Sequence, residues 1–293
     1  MQAIAMKFTV GGVLLFCGAA PTFAGSPYQA GQTVGAAVGA PAPPGLYFAN
    51  TASWGCRNTK PEETCEGVSI PILVWSTPWT ILGARPNFTL APTNLVEIDI
   101  EHTTHSSGLA NPFFDGQLAW DLGGGWGISY LLGLYLDVDT PFAFSSDSLN
   151  QRVAVSYTAN GWNLTTNVIL TTHFDEVTGS PQASPCPVSQ VFPSNGCNPH
   201  SINVDLTATK RFGKWELGPI AYGSSDLSTP VPGYLKQSQF AMGGLVGYWF
   251  DRVIVQGWVS TDLYEANYGG KDVRGWTRII IPFGNQPAVP LAY

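Results

Sequence analysis

From Asn111 onward the chain alternates apolar and polar positions with a period of two. Ile128, Tyr130, Leu132, Leu134 and Leu136 fall on one face, and Ser129, Gly133, Tyr135 and Asp137 on the other. Trp162, Leu164, Thr166, Val168 and Leu170 alternate with Asn163, Thr165, Asn167, Ile169 and Thr171. Ile202, Val204, Leu206 and Ala208 alternate with Asn203, Asp205, Thr207 and Thr209. Successive side chains of a strand point to opposite faces, so each stretch predicts a strand with one apolar and one polar side. The predicted strands are roughly 10–13 residues long, close to the 9–11 that cross a bilayer at a tilt.

The connections sort into two kinds. Gly123–Gly125, Asn160–Gly161, Phe212–Lys214 and Phe250–Arg252 are tight. The stretches 139–149, 175–200, 225–236 and 265–271 are long, and the two kinds alternate along the chain. A transmembrane barrel with tight periplasmic turns and long extracellular loops has this pattern. Before His102 the pattern is less regular. Leu46–Trp54 and Val68–Trp75 read as strands, and Thr80–Glu101 as a third, interrupted by Pro86 and Pro92. Proline cannot donate to a ladder, so a kink, bulge or inward fold is expected there. The expectation is an all-β, transmembrane antiparallel β-barrel of about twelve strands, with fourteen possible. An even number places both termini on the periplasmic side.

Composition agrees. Charged residues make up 11% of the chain and aromatics 12%, against about 25% charged in soluble domains. No mature segment is apolar for the roughly 18 residues a spanning helix needs, so a closed barrel is the remaining membrane solution. Trp120, Trp126, Trp162, Trp215, Tyr248, Trp249, Phe250 and Tyr264 lie near strand ends, where interfacial girdles form. The net charge of −7 argues against a nucleic-acid partner. A secreted β-sandwich is the fold-level alternative.

The N-terminus predicts export. Lys7 precedes an apolar run from Phe8 to Ala20, and Thr22-Phe23-Ala24 offers a cleavage site. Residues 1–24 are read as a signal peptide, 25–44 as a flexible periplasmic leader rich in Gly, Ala and Pro, and 45–293 as the barrel. Cys17 leaves with the signal. The mature cysteines Cys56, Cys65, Cys186 and Cys197 favour disulfides Cys56–Cys65 and Cys186–Cys197 in an oxidising compartment. Other pairings and a metal site are the alternatives.

No catalytic motif stands out, and no cofactor or metal is implied. His102 and His105 form H-x-x-H at a spacing that puts them on opposite strand faces. Glu97, Asp99 and Glu101 alternate with Val96, Ile98 and Ile100. Charge on a lipid-facing wall is unfavourable, so these acids are expected to face the lumen, with Asp115 a further lumen candidate. There they would tune permeation or simply wet the wall. Val273, Gly275, Thr277, Ile279, Ile281 and Phe283 form one face of a last strand, expected to stop near Phe283, before a tail with Pro287 and Pro290.

Several stretches in order resemble the outer-membrane "MetA-pathway of phenol degradation" transporter family. They are Val68–Trp75 (VSIPILVW), Ile81–Ala84 (ILGA), Asn111–Trp120 (NPFFDGQLAW) and Ala208–Pro219 (ATKRFGKWELGP). The resemblance implies a barrel similar to uptake channels for fatty acids and aromatic compounds. It points to a Gram-negative outer-membrane channel for passive uptake of small hydrophobic or aromatic solutes, with a constriction near the kinked third strand. Outer-membrane lipid and the solute would be its partners, the oligomeric state being open. The alternative is a non-conducting barrel that binds partners through disulfide-braced extracellular loops.

Overall fold

The computed structural model describes residues 26–284, except 61, 103, 141, 145, 175–197 and 231–233. The expected signal peptide, the Cys186–Cys197 pair and the tail beyond Gly284 lie outside the described residues.

Fourteen strands run in chain order: β1 (Gly45–Arg57), β2 (Thr64–Ser76), β3 (Ala84–Ala91), β4 (Leu95–Ile100), β5 (Thr104–Leu109), β6 (Phe113–Gly123), β7 (Trp126–Tyr135), β8 (Ser148–Tyr157), β9 (Trp162–His173), β10 (Ser201–Phe212), β11 (Trp215–Asp226), β12 (Ser238–Trp249), β13 (Ile254–Ala266) and β14 (Asp272–Pro282). All pairings are antiparallel. β1 pairs with β2 on one side and with β14 on the other, which closes the sheet. Twelve strands form the ring, and β4 and β5 are two extra. The expected barrel is thus present, and its last strand ends at Pro282, where Phe283 N donates to Leu46 O.

The expected kink is a full break. β3 stops at Ala91, Pro92–Asn94 intervene, and β4 continues along the same partner, β2. The returning chain breaks opposite, at Ala110–Pro112, between β5 and β6. A proline lies in each break, where no ladder donor is available. Pro86 is accommodated inside β3, opposite Leu118. At the other end the hairpins are tight. Asn160 and Gly161 take φ of 56° and 78°, the left-handed region that Asn and Gly tolerate best.

The two faces invert the arrangement of a soluble sheet. Outward positions such as Leu73, Leu132, Val153, Leu164, Val246 and Val259 are exposed and apolar. Inward positions such as Thr51, Asn150, Asn167, Asn203, Gln256 and Arg278 are buried and polar. Aromatic pairs band the tight-turn end: Trp126–Tyr157 with centroids 5.1 Å apart, and Trp215–Tyr248 at 4.8 Å. An exposed apolar wall bordered by an aromatic band suits lipid, where it loses nothing by facing hydrocarbon.

The leader is not a flexible periplasmic segment. Ser26–Pro43 folds back through the lumen as a plug, with most of its residues buried. Successive turns bind Gln32 N to Gln29 O, Val34 N to Gly31 O and Ala36 N to Thr33 O. Small residues let it lie against the wall. A Cβ on Gly31 would come within 2.7 Å of the Tyr222 ring, and one on Gly39 within 2.6 Å of Ser156 N. Because the inward face is polar, it can satisfy the plug's backbone groups, which would be costly to bury unpaired.

Candidate functional site

The lumen is organised around the plug. Near the plug's N-terminal end, the buried Asp205 of β10 accepts four hydrogen bonds: from Tyr28 Oη, Gly31 N (2.9 Å), Thr33 N (2.9 Å) and Thr33 Oγ1 (2.7 Å). Asn167 Nδ2 donates to Thr33 Oγ1 at 3.0 Å. Opposite, Arg278 of β14 donates to the carbonyls of Gln32 and Val34 and to Thr51 Oγ1, while its guanidinium lies 4.9 Å over the Trp258 ring. Gln256 and Asn163 both donate to Gly35 O. Farther along, Ser129 Oγ and Gln117 Nε2 donate to Val38 O, and Gly39 N donates to Ser156 Oγ. Beside the plug, Arg152 is sandwiched between the rings of Tyr28 (4.8 Å) and Phe113 (4.9 Å).

A second feature lies in the wall. Among the described residues β5 pairs with β4 alone, so its far edge carries no ladder. The segment after β7 covers that edge. Phe142 packs on Gly108, where a Cβ would lie only 2.3 Å from the ring, and Thr140 Oγ1 donates to Leu109 O. Asn111, in the break before β6, holds the segment down. Its Nδ2 donates to Leu136 O and Phe144 O, each at 2.9 Å, and its Oδ1 accepts from Phe144 N at 2.7 Å.

This seam has space on both sides. Outside, a groove of about 460 Å³ runs between Trp54, Gly67, Leu95 and Leu109. Inside, a small apolar void of about 20 Å³ is bordered by Pro27, Ala110, Phe142 and Phe144. Val68 and Val96 border both spaces. Val68 and Val96 are themselves paired in the β2–β4 ladder, so the wall lacks strand hydrogen bonds only at the far edge of β5, near Leu109, where the loop covers it.

The acids expected in the lumen are placed differently. Val96, Ile98 and Ile100 point inward and cluster with Phe142, so Glu97 and Asp99 lie on the outer face. Glu101 ends the same hairpin and is exposed. His105 Nε2 lies 3.5 Å from Glu97, and His102 Nε2 lies 3.2 Å from Glu101, all four side chains being open to solvent. The reason is that β4 and β5 stand apart from the ring, so their inner face must pack against an apolar loop while the outer one is solvated. Asp115 does face inward. It is buried next to Thr89 and in the field of Arg152. The expected Cys56–Cys65 disulfide is present and bridges β1 and β2 on the outer face. Glu63 lies near these sulfurs, but a disulfide leaves no thiolate to ligate a metal.

Reading periodicity alone missed the plug, Asp205 as its anchor, and Asn111. One signal for the plug was available: Gly31, Gly35 and Gly39 recur every four residues, and no charged residue lies between Ser26 and Cys56.

A family model described as "MetA-pathway of phenol degradation" matches residues 64–279. The chain belongs to this family. No curated protein matches it. Among solved structures, the COG4313 outer membrane channel from Pseudomonas putida F1 is similar, with a TM-score of 0.62 at 11% identity. That alignment covers 83% of this chain and 97% of the channel. The beta domain of the Bordetella autotransporter Brka aligns with a TM-score of 0.50 at 11% identity, over 82% of this chain and all of the domain (100%). At such identities the likeness is one of fold: this MetA-pathway family member has the architecture of outer-membrane barrels.

Proposed function

We propose that the protein resides in the outer membrane of a Gram-negative bacterium, exported by residues 1–24. There it mediates passive uptake of small hydrophobic or aromatic solutes. The observation that carries this reading is the seam at β5. The axial path holds a plug hydrogen-bonded to the wall along its length, whereas the seam is apolar, loop-closed and flanked by space on both faces. A hydrophobic solute partitions first into the membrane, and the exposed Trp54, Leu95 and Leu109 offer it an apolar entrance to the outer groove. Movement of the loop carrying Thr140, Phe142 and Phe144 would then let it pass round the Leu109 end of β5 to the inner void. Polar solutes gain nothing from such a route. Membership of the family and the fold shared with an outer membrane channel support the reading.

The test is uptake into proteoliposomes. Full-length protein should speed entry of the dye N-phenyl-1-naphthylamine over empty liposomes while leaving arabinose permeability near baseline. A dye rate equal to that of empty liposomes contradicts the reading. It would favour a barrel that presents braced loops to partners, for which the Cys56–Cys65 bridge is the supporting observation.

A further inference from the structure

At the N-terminal tip of the plug lies a void of about 20 Å³, enough for one small occupant. Four buried acceptor oxygens with no partner belong to residues that line it: Gln29 Oε1 from the plug, and Glu66 Oε1, Asn203 Oδ1 and Asp272 Oδ1 from the wall. Among the described residues around this void, which also include Arg57 and Arg274, no fully buried donor lacks a partner. The other oxygen of each carboxylate is already used. Arg274 Nη2 binds Glu66 Oε2 at 2.9 Å, and its Nε binds Asp272 Oδ2 at 2.7 Å. Arg57 completes the cluster, 3.1 Å from Asp262 Oδ2 and 3.9 Å from Asp272 Oδ2. Three carboxylates thus face two guanidinium groups, all of them buried, leaving one negative charge in excess.

Two deficits coincide here. Each orphaned buried acceptor is unfavourable, and an uncompensated buried charge more so. A water molecule has two protons for four acceptors and brings no charge. A divalent ion would turn the excess negative charge into an excess positive one. We propose that this void is a binding site for a monovalent hard cation, of the sodium class, coordinated by oxygen and bridging plug to wall. Oxygen-only donor sets suit hard cations. The ion joins Gln29 to Glu66, Asn203 and Asp272, so it holds the tip of the plug in the docked position. This site is independent of the seam and of what the barrel transports.

The experiment compares thermal midpoints of the detergent-solubilised full-length protein, read as the loss of heat-modifiable gel mobility. Sodium chloride is set against N-methyl-D-glucamine chloride at equal ionic strength. The midpoint is expected to rise with sodium in a saturable way, by about 3–6 °C at tenfold above the dissociation constant. The rise should vanish in Glu66→Gln, which removes the excess charge. It should also vanish in Gln29→Leu, which changes only the plug and leaves the barrel wall intact for folding. Equal midpoints in the two salts would overturn the proposal and leave water as the occupant. A larger rise with calcium at matched ionic strength would overturn the monovalent assignment.

Discussion

Asp205→Ala is expected to convert a quiet barrel into an open, noisy pore in planar bilayers. Asp205 gathers four donors of the plug onto one buried carboxylate. Hydrogen bonds to a charged group contribute about 1.5–3 kcal/mol each, and a donor left buried without a partner is itself costly. Even a combined loss of about 4 kcal/mol shifts the docked-to-undocked ratio by roughly a thousandfold. Asp205→Asn should fall between wild type and alanine. Its remaining carbonyl oxygen can still accept from Tyr28 and Thr33, but its amide group opposes Gly31 N. Heat-modifiable mobility should persist in both variants, since the strand ladders of β10 do not involve this side chain. Conductance at the wild-type level in Asp205→Ala would mean that Arg278 and the wall contacts nearer the tight-turn end hold the plug without it.

The second large effect is expected at the seam. Asn111→Ala removes the three hydrogen bonds that hold Leu136 and Phe144, on the loop covering the free edge of β5. At about 1 kcal/mol each, the loosened state becomes roughly a hundredfold more populated. Dye uptake into proteoliposomes should accelerate, while ion conductance stays at the wild-type level because the plug is untouched. This pairing of results is the mirror image of that expected for Asp205→Ala. A fall in dye uptake, or a parallel rise in conductance, would show that the segment is not a gate for apolar solutes.

Strands such as Trp162–His173 were legible because alternation is a local property that burial on one side enforces. Turns such as Asn160–Gly161 were legible because few residues accept a left-handed backbone. The assignment of faces was sound wherever lipid was the outer solvent. It failed at Glu97 and Asp99 because the solvent there is set by a loop that begins far beyond the break at Ala110–Pro112, with Phe142, 30 positions after Pro112, packed on the inner face of β4. The plug was misread for a related reason. Gly, Ala and Pro suggest a mobile leader when water is assumed to surround them, but small residues without charge equally suit close approach to a polar wall. Asp205 and Asn111 could not be singled out from their neighbours. Asp205 is one of several polar inward residues on β10, and only contacts across 172–177 positions of sequence distinguish it.

Pinning the plug decides whether apolar solutes cross the wall at the seam or travel along the barrel axis. Ser26 Oγ and Thr171 Oγ1 lie 3.3 Å apart, joining the tip of the plug to β9. Ser26→Cys with Thr171→Cys, in a background with Cys186 and Cys197 changed to serine, should form a disulfide on oxidation. Since β1 anchors the other end, the plug is then tied at both ends across the lumen. Dye uptake into proteoliposomes should be the same in the oxidised and reduced forms of this variant. Uptake abolished by oxidation and restored by reduction would contradict the seam route and place the path through the displaced plug.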